Sequence, residues 1–175
     1  MKKSLFLGLV VCFTLLAGSG QANNLVESRV RRVIAGDVFK VEYAGAVVYA
    51  RLIGVNLPQE QMKKTVDPAY IYNPEAAQKA KIFAVQKLTP AQKVYLEFDQ
   101  KRRDSKGFLL VYLWLDKDGA EMFNELLLRE GYGQVLVRPP NVKYEKRLTD
   151  ACREAQQVGR GLWEAAEKAS PKRQR

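Results

Sequence analysis

From residue 26 to residue 53 the chain carries three β-type segments joined by turns of two residues, and that spacing leaves little choice of local fold. Residues 26–34 alternate β-branched side chains with charges, Gly36-Asp37 marks a turn, residues 38–43 alternate again, and Ala44-Gly45 makes a tight hairpin into residues 47–53. Alternation with period two marks a strand with one buried face, and connections this short join antiparallel neighbours. The next segment breaks the pattern. Residues 59–75, rich in Lys, Asp, Tyr and Pro, read as a long surface loop, a length that compact domains usually reserve for function.

Asn73-Pro74-Glu75 is a helix start, with a capping side chain, a proline in the first turn and an acidic residue at the positive helix end. Ala76, Ala80, Phe83 and Ala84 give that helix an apolar stripe. Two further strands, 93–99 and 108–115, flank the charged turn "DQKRRDSKG". Residues 122–130 read as a second helix closed by Gly131. Residues 143–158 read as a third, with Tyr144, Leu148, Ala151, Cys152 and Ala155 inward and Gly159 ending it. Three strands, a helix, two strands and then helices predict a mainly β (α+β) domain, a five-stranded OB-fold barrel with three packed helices.

The ends of the chain set its expected address. A basic Met1-Lys2-Lys3, an apolar run from Leu5 to Ala17 and small residues up to Ala22 are the parts of a cleavable signal peptide over residues 1–22. The run is short for a membrane span of about 20 residues, so no span is expected after cleavage. The expectation is a secreted or periplasmic protein, with a domain over 23–167 and a basic, disordered tail over 168–175. Cleavage after Ala22 leaves Cys152 as the one cysteine, which excludes an intramolecular disulfide and places the thiol on an apolar helix stripe. It also leaves 27 basic against 19 acidic residues, a net charge of +8, suited to phosphate-rich polymers or anionic surfaces. The chain has no histidine, which excludes Ser-His-Asp and Cys-His catalysis and His-ligated zinc.

The segments "AGDVFKV", "RLIGVNLPQ", "PEAAQKAKIF", "VYLEFD", "DSKGFLLVYLW", "MFNELLLREGYGQV" and "EAQQVGRGLW" stand in the order and spacing of a known family. Over nearly the whole mature length the chain resembles the staphylococcal nuclease (thermonuclease-like) family. That resemblance implies a calcium-dependent phosphodiesterase of DNA and RNA, with a glutamate acting on water and two arginines gripping the phosphate. Carried over by residue, it implies Asp37 at the first calcium aspartate and Arg51 at the first arginine. It puts Asn56 at the second calcium aspartate, Gln59 at the catalytic glutamate and Phe108 at the second arginine. An amide cannot take a proton from water near neutral pH, and phenylalanine cannot bond a phosphate oxygen.

The expectation is therefore a domain of this class with an inactive site, binding nucleic acid or another polyanion as a monomer. Arg51, Lys106, Arg102 and Arg103 are its candidate ligand-binding cations. No cofactor is expected. Calcium enters only if the nuclease reading holds, with Asp37 as a weak ligand. Two alternatives stand beside it. One is a protein-interaction module using the 59–75 loop with Tyr70 and Tyr72. The other is an active calcium nuclease with a rearranged site, drawing on Glu60 or Lys106. Plainer roles also exist for the same residues. Asp37 is a turn former, Arg51 a strand-end partner of Asp37 or Glu42, and Lys101, Arg102 and Arg103 a solvated turn. Phe108 is core or rim packing rather than a nucleobase platform.

Overall fold

The computed structural model describes residues 25–59 and 72–164. Within them the meander forms as expected: β1 (Val26–Ala35), β2 (Val38–Tyr43) and β3 (Ala46–Leu52) pair antiparallel in succession. β5 (Lys93–Glu97) and β6 (Leu109–Trp114) form a second antiparallel pair. Two long-range pairings close the barrel. β6 lies parallel to β3, with Ala50 beside Leu109 and Leu52 beside Val111, and β5 returns to β1, giving the order β1-β2-β3-β6-β5. Closure leaves no free sheet edge. It also puts Phe39, Val41, Ala50, Leu52, Leu109 and Val111 inside, each at most 2% exposed.

Three helices pack on the barrel. Helix α1 (Pro74–Lys87) starts as read, with the Asn73 side chain accepting the Ala76 N–H at 3.0 Å. Its buried stripe is Ala77, Ala80 and Ala84, not Ala76, and Phe83 is only partly covered. The alanines let the helix come close to the β1–β2 turn. α2 (Phe123–Arg129) and α3 (Glu145–Gln157) are each trimmed at both ends relative to the pattern. Cys152 is buried on the inner face of α3 with Leu148, Ala151 and Ala155. A 3-10 turn follows at Gly161–Trp163. Among the described residues no helix is long and apolar enough to cross a membrane.

Two short strands escaped the pattern reading. The chain leaves the barrel at Ile53, turns at Gly54 with φ +76°, and forms β4 (Gly54–Asn56), which pairs with β7 (Gln134–Leu136). A side chain at Gly54 would sit 2.4 Å from Leu148 Cδ1, so both its conformation and its contact with α3 require glycine. The bend is pinned by Asn124 of α2, which is fully buried. Its Oδ1 accepts the Leu113 N–H at 2.9 Å, while its Nδ2 donates to the carbonyls of Ile53 at 2.9 Å and Val111 at 3.2 Å.

A second polar anchor seats α3. The buried Glu97 carboxylate accepts from Trp114 Nε1 at 2.8 Å and from the Tyr144 hydroxyl at 3.0 Å, and it pairs with Lys143. Leaving a buried donor or acceptor without a partner costs about 1–3 kcal/mol. Asn124→Leu strands the Leu113 N–H and the Ile53 carbonyl together, so it should lower the unfolding free energy by about 3 kcal/mol in urea titration. A loss below about 1 kcal/mol would show that the bend holds without the amide.

Candidate functional site

Strand pairing decides which side chains meet. Ala50 and Leu52 point into the barrel, so Arg51 between them points out. Val38 lies opposite Arg51, and the Leu52 N–H donates to the Asp37 carbonyl at 3.0 Å, which puts the β1–β2 turn beside the end of β3. The bend at Gly54 then carries Asn56 and Gln59 to the same end. Together with the 101–106 loop and the 136–141 segment they enclose a cleft of about 610 Å³.

Arg51, Asp37, Asn56 and Gln59 all line this cleft, joined by Lys106 and by four residues the sequence reading had not placed there: Lys101, Asp104, Arg138 and Asn141. Asn141 is 4% exposed and clasps the facing loop in both directions, accepting the Lys101 N–H and donating to the Lys101 carbonyl, each at 2.8 Å. Asp104 shapes its own turn: its Oδ1 accepts the N–H groups of Lys106 at 2.8 Å and Phe108 at 3.0 Å. An Asp followed by Ser-Lys-Gly is a turn signal that could have placed it. Nothing local marks Arg138.

Arg102 and Arg103 stand outside the cleft. Arg102 lies over the Phe98 ring at 5.1 Å, and Arg103 Nη1 donates to the Gly107 carbonyl at 2.7 Å. Phe108 does not line the cleft either. It stacks on Tyr49, with ring centroids 4.8 Å apart and 12° between planes, and its ring meets the Arg51 guanidinium at 5.4 Å. Glu42 pairs with Arg31 rather than with Arg51. Of the 59–75 loop, the described ends are joined by a bridge between Gln59 and Tyr72, whereas Glu60 and Tyr70 lie outside the described residues.

Among the described residues the cleft carries four cations (Arg51, Lys101, Lys106, Arg138) against the carboxylates of Asp37 and Asp104. Burial among neighbouring atoms pushes the Asp37 carboxyl above its ordinary value, and the Arg51 charge pulls it only part of the way back. Arg51 is loosely held. Among the described residues its one carboxylate ion pair is with Asp104 at 3.9 Å, and its buried Nε has no hydrogen-bond partner. Gln59 uses its amide as a donor, Nε2 to the Leu57 carbonyl at 2.8 Å, a bond a carboxylate could not make.

This donor set does not fit calcium. The ion takes about six to eight oxygens, several of them anionic. Here one carboxylate is disfavoured by burial, the other already serves its turn and faces Arg51, and Gln59 turns its N–H₂ to the backbone. Among the described residues no three acidic, cysteine or histidine side chains gather to hold a metal.

A family model described as staphylococcal nuclease homologue matches residues 49–165, well over half of the chain. The chain belongs to the staphylococcal nuclease homologues. The matched span takes in Arg51, Asn56, Gln59 and Phe108, and Asp37 precedes it. The chain is 37% identical over 147 residues to a thermonuclease of Staphylococcus hyicus, covering 84% of this chain and 80% of that protein. It is also 37% identical over 135 residues to a thermonuclease of Staphylococcus intermedius, covering 77% and 74%. To the endonuclease YncB of Bacillus subtilis (strain 168) it is 32% identical over 152 residues, covering 84% and 67%. The closed five-stranded barrel with its three helices is the architecture expected from the resemblance.

Within this homologue's cleft, Gln59 belongs to its surroundings as an amide. Gln59→Glu exchanges a hydrogen bond to the Leu57 carbonyl for a repulsive oxygen–oxygen contact, so it should destabilise by about 1 kcal/mol in urea titration at neutral pH. The deficit should shrink when acid protonates the new carboxyl, which can then donate. Equal stability of the two proteins at neutral pH would show that the amide bond is not formed in solution.

Proposed function

We propose that this domain binds nucleic acid or another polyanion in the Arg51 cleft and does not cut it. The carrying observation is Arg51 itself, a guanidinium whose buried Nε has no partner among the described residues, on the wall of a cleft where the described cations outnumber the described carboxylates two to one. Phosphate oxygens are the natural complement of such a guanidinium, because its planar donors match them two at a time. The names of the similar proteins, thermonucleases and an endonuclease, support nucleic acid as the ligand class.

Inactivity rests on chemistry rather than on charge. In-line hydrolysis needs a base for water, and the residue in register with it is an amide whose N–H₂ is turned to Leu57. It also needs cations on the developing phosphorane, and Phe108 supplies none. Purified protein with millimolar calcium should therefore retard nucleic acid on a gel and leave its length unchanged. The retardation should weaken steeply with salt. Arg51→Gln should lower affinity and reduce the salt slope by about 1, as expected for one lost phosphate contact. Chelator-sensitive cleavage abolished by Asp37→Asn would overturn inactivity, and absence of any salt-dependent retardation would overturn the binding.

The same reading makes the protein an exported one, supported by the basic start and the apolar run from Leu5 to Ala17. Intact-mass analysis of protein from the periplasm or medium should give a chain beginning at Asn23. A cell-associated chain that keeps Met1 would overturn export by this route.

A further inference from the structure

A row of side chains crosses the outer face of the barrel and ends at the cleft. Arg32 of β1 lies opposite Lys40 of β2, and Lys40 lies opposite Tyr49 of β3. On the far side of Tyr49 comes Phe108, which enters β6 just before Leu109, the partner of Ala50. Directly paired residues share a face of the sheet, and Ala50 and Leu109 point inward, so Tyr49 and Phe108 stand together outside. Arg51 follows two residues along β3 on the same face, about 6.8 Å from Tyr49, which is the scale of one nucleotide.

The contacts along this row are asymmetric. Phe108 is half-buried and covers one face of the Tyr49 ring in a near-parallel stack. From the neighbouring strand on the side away from Phe108, Lys40 reaches over the ring, its Nζ 4.9 Å from the centroid. Tyr49 remains 38% exposed. Neither Lys40 nor Arg32 makes an ion pair among the described residues, so the lysine chain can swing aside without breaking one. A flat apolar ligand then finds a rigid aromatic face, backed by a second ring, with a cation on each side.

The geometry points to a base-stacking site for single-stranded nucleic acid. One base lies flat on Tyr49, Phe108 backs the ring, and the adjoining phosphates run to Arg51 in the cleft on one side and to Lys40 and Arg32 on the other. This rests on the cleft as the polyanion site and adds the base to it. The face formed by the second and third strands is where OB-type barrels bind oligonucleotides, and aromatic side chains there serve any base, because each has a π-face. A duplex keeps its base faces stacked inside, so the site selects single strands. Phe108 thus acts as rim packing whose product is the platform on its neighbour.

The test uses two fluorescently labelled strands of about a dozen nucleotides, one oligothymidylate and one made wholly of abasic residues, with affinities read by anisotropy in the presence of chelator. Wild-type protein should bind the thymidylate strand about tenfold more tightly than the abasic one. Tyr49→Ala should lose that preference while keeping its affinity for the abasic strand, and Tyr49→Phe should retain it. Tyr49→Trp should show quenched emission with thymidylate and not with the abasic strand. Thermal transitions of the variants confirm that this exposed position leaves the fold intact. Equal wild-type affinity for both strands, or a preference that survives Tyr49→Ala, would overturn the stacking site and leave polyanion binding standing. If neither strand binds, the polyanion reading itself fails and the stacking site falls with it.

Discussion

Three hydrogen bonds from one buried amide hold the place on which the rest of the molecule turns. Asn124 joins α2 to β6 through the Leu113 N–H and the Val111 carbonyl, and it joins both to the end of β3 through the Ile53 carbonyl. The Val111 carbonyl also accepts the Ile53 N–H at 2.9 Å, so amide and backbone together select a single arrangement of helix, strand and bend. The bend sends β4 out of the barrel toward β7, and with it go Asn56 and Gln59. The facing wall is set by a second buried amide, Asn141, clasping Lys101. Two asparagines thus shape the cleft from opposite sides.

The cleft that results gathers Asp37, Arg51, Asn56 and Gln59, four of the positions to which the resemblance points. A site that holds calcium and moves protons needs converging carboxylates. Here Asp37 in the β1–β2 turn is disfavoured by burial, and Gln59, where the resemblance puts the base, is an amide tied to the backbone. What remains is positive. Under the proposed function the four cations attract a phosphate chain without any base, since Coulomb attraction needs only net charge and access. Where the resemblance implies a second guanidinium, the Phe108 ring lies against Arg51 and against Tyr49 and forms an aromatic ridge.

Much of the fold was legible because its signals are local. Alternation over 38–43, the two-residue turns and the Asn73-Pro74-Glu75 start each depend on residues a few positions apart, and each appears where read. The three-residue strands β4 and β7 are too short to show a period and exist by pairing with each other across the chain. The inner face of α1 shifted from Ala76 to Ala77 because in an alanine-rich helix the packing partner, rather than the sequence, chooses among equivalent faces. At the site, Arg51, Asp37, Asn56 and Gln59 could be brought together through the family resemblance. Arg138 and Asn141 could not.

By itself the sequence determined the strand meander, the helix starts, the absence of histidine chemistry and the amide character of Asn56 and Gln59. These are properties of residue type and near-neighbour spacing. Tertiary structure alone decided which cations face the cleft and which lie outside it, and it assembled the row Arg32, Lys40, Tyr49, Phe108. Lys101 and Arg102 are adjacent in the basic run 101–103, yet Lys101 lines the cleft while Arg102 lies over Phe98. The physical reason is barrel closure. Parallel pairing of β3 with β6 brings segments more than fifty residues apart to one edge, and the register of that pairing, invisible in either segment, sets which side chains share a face.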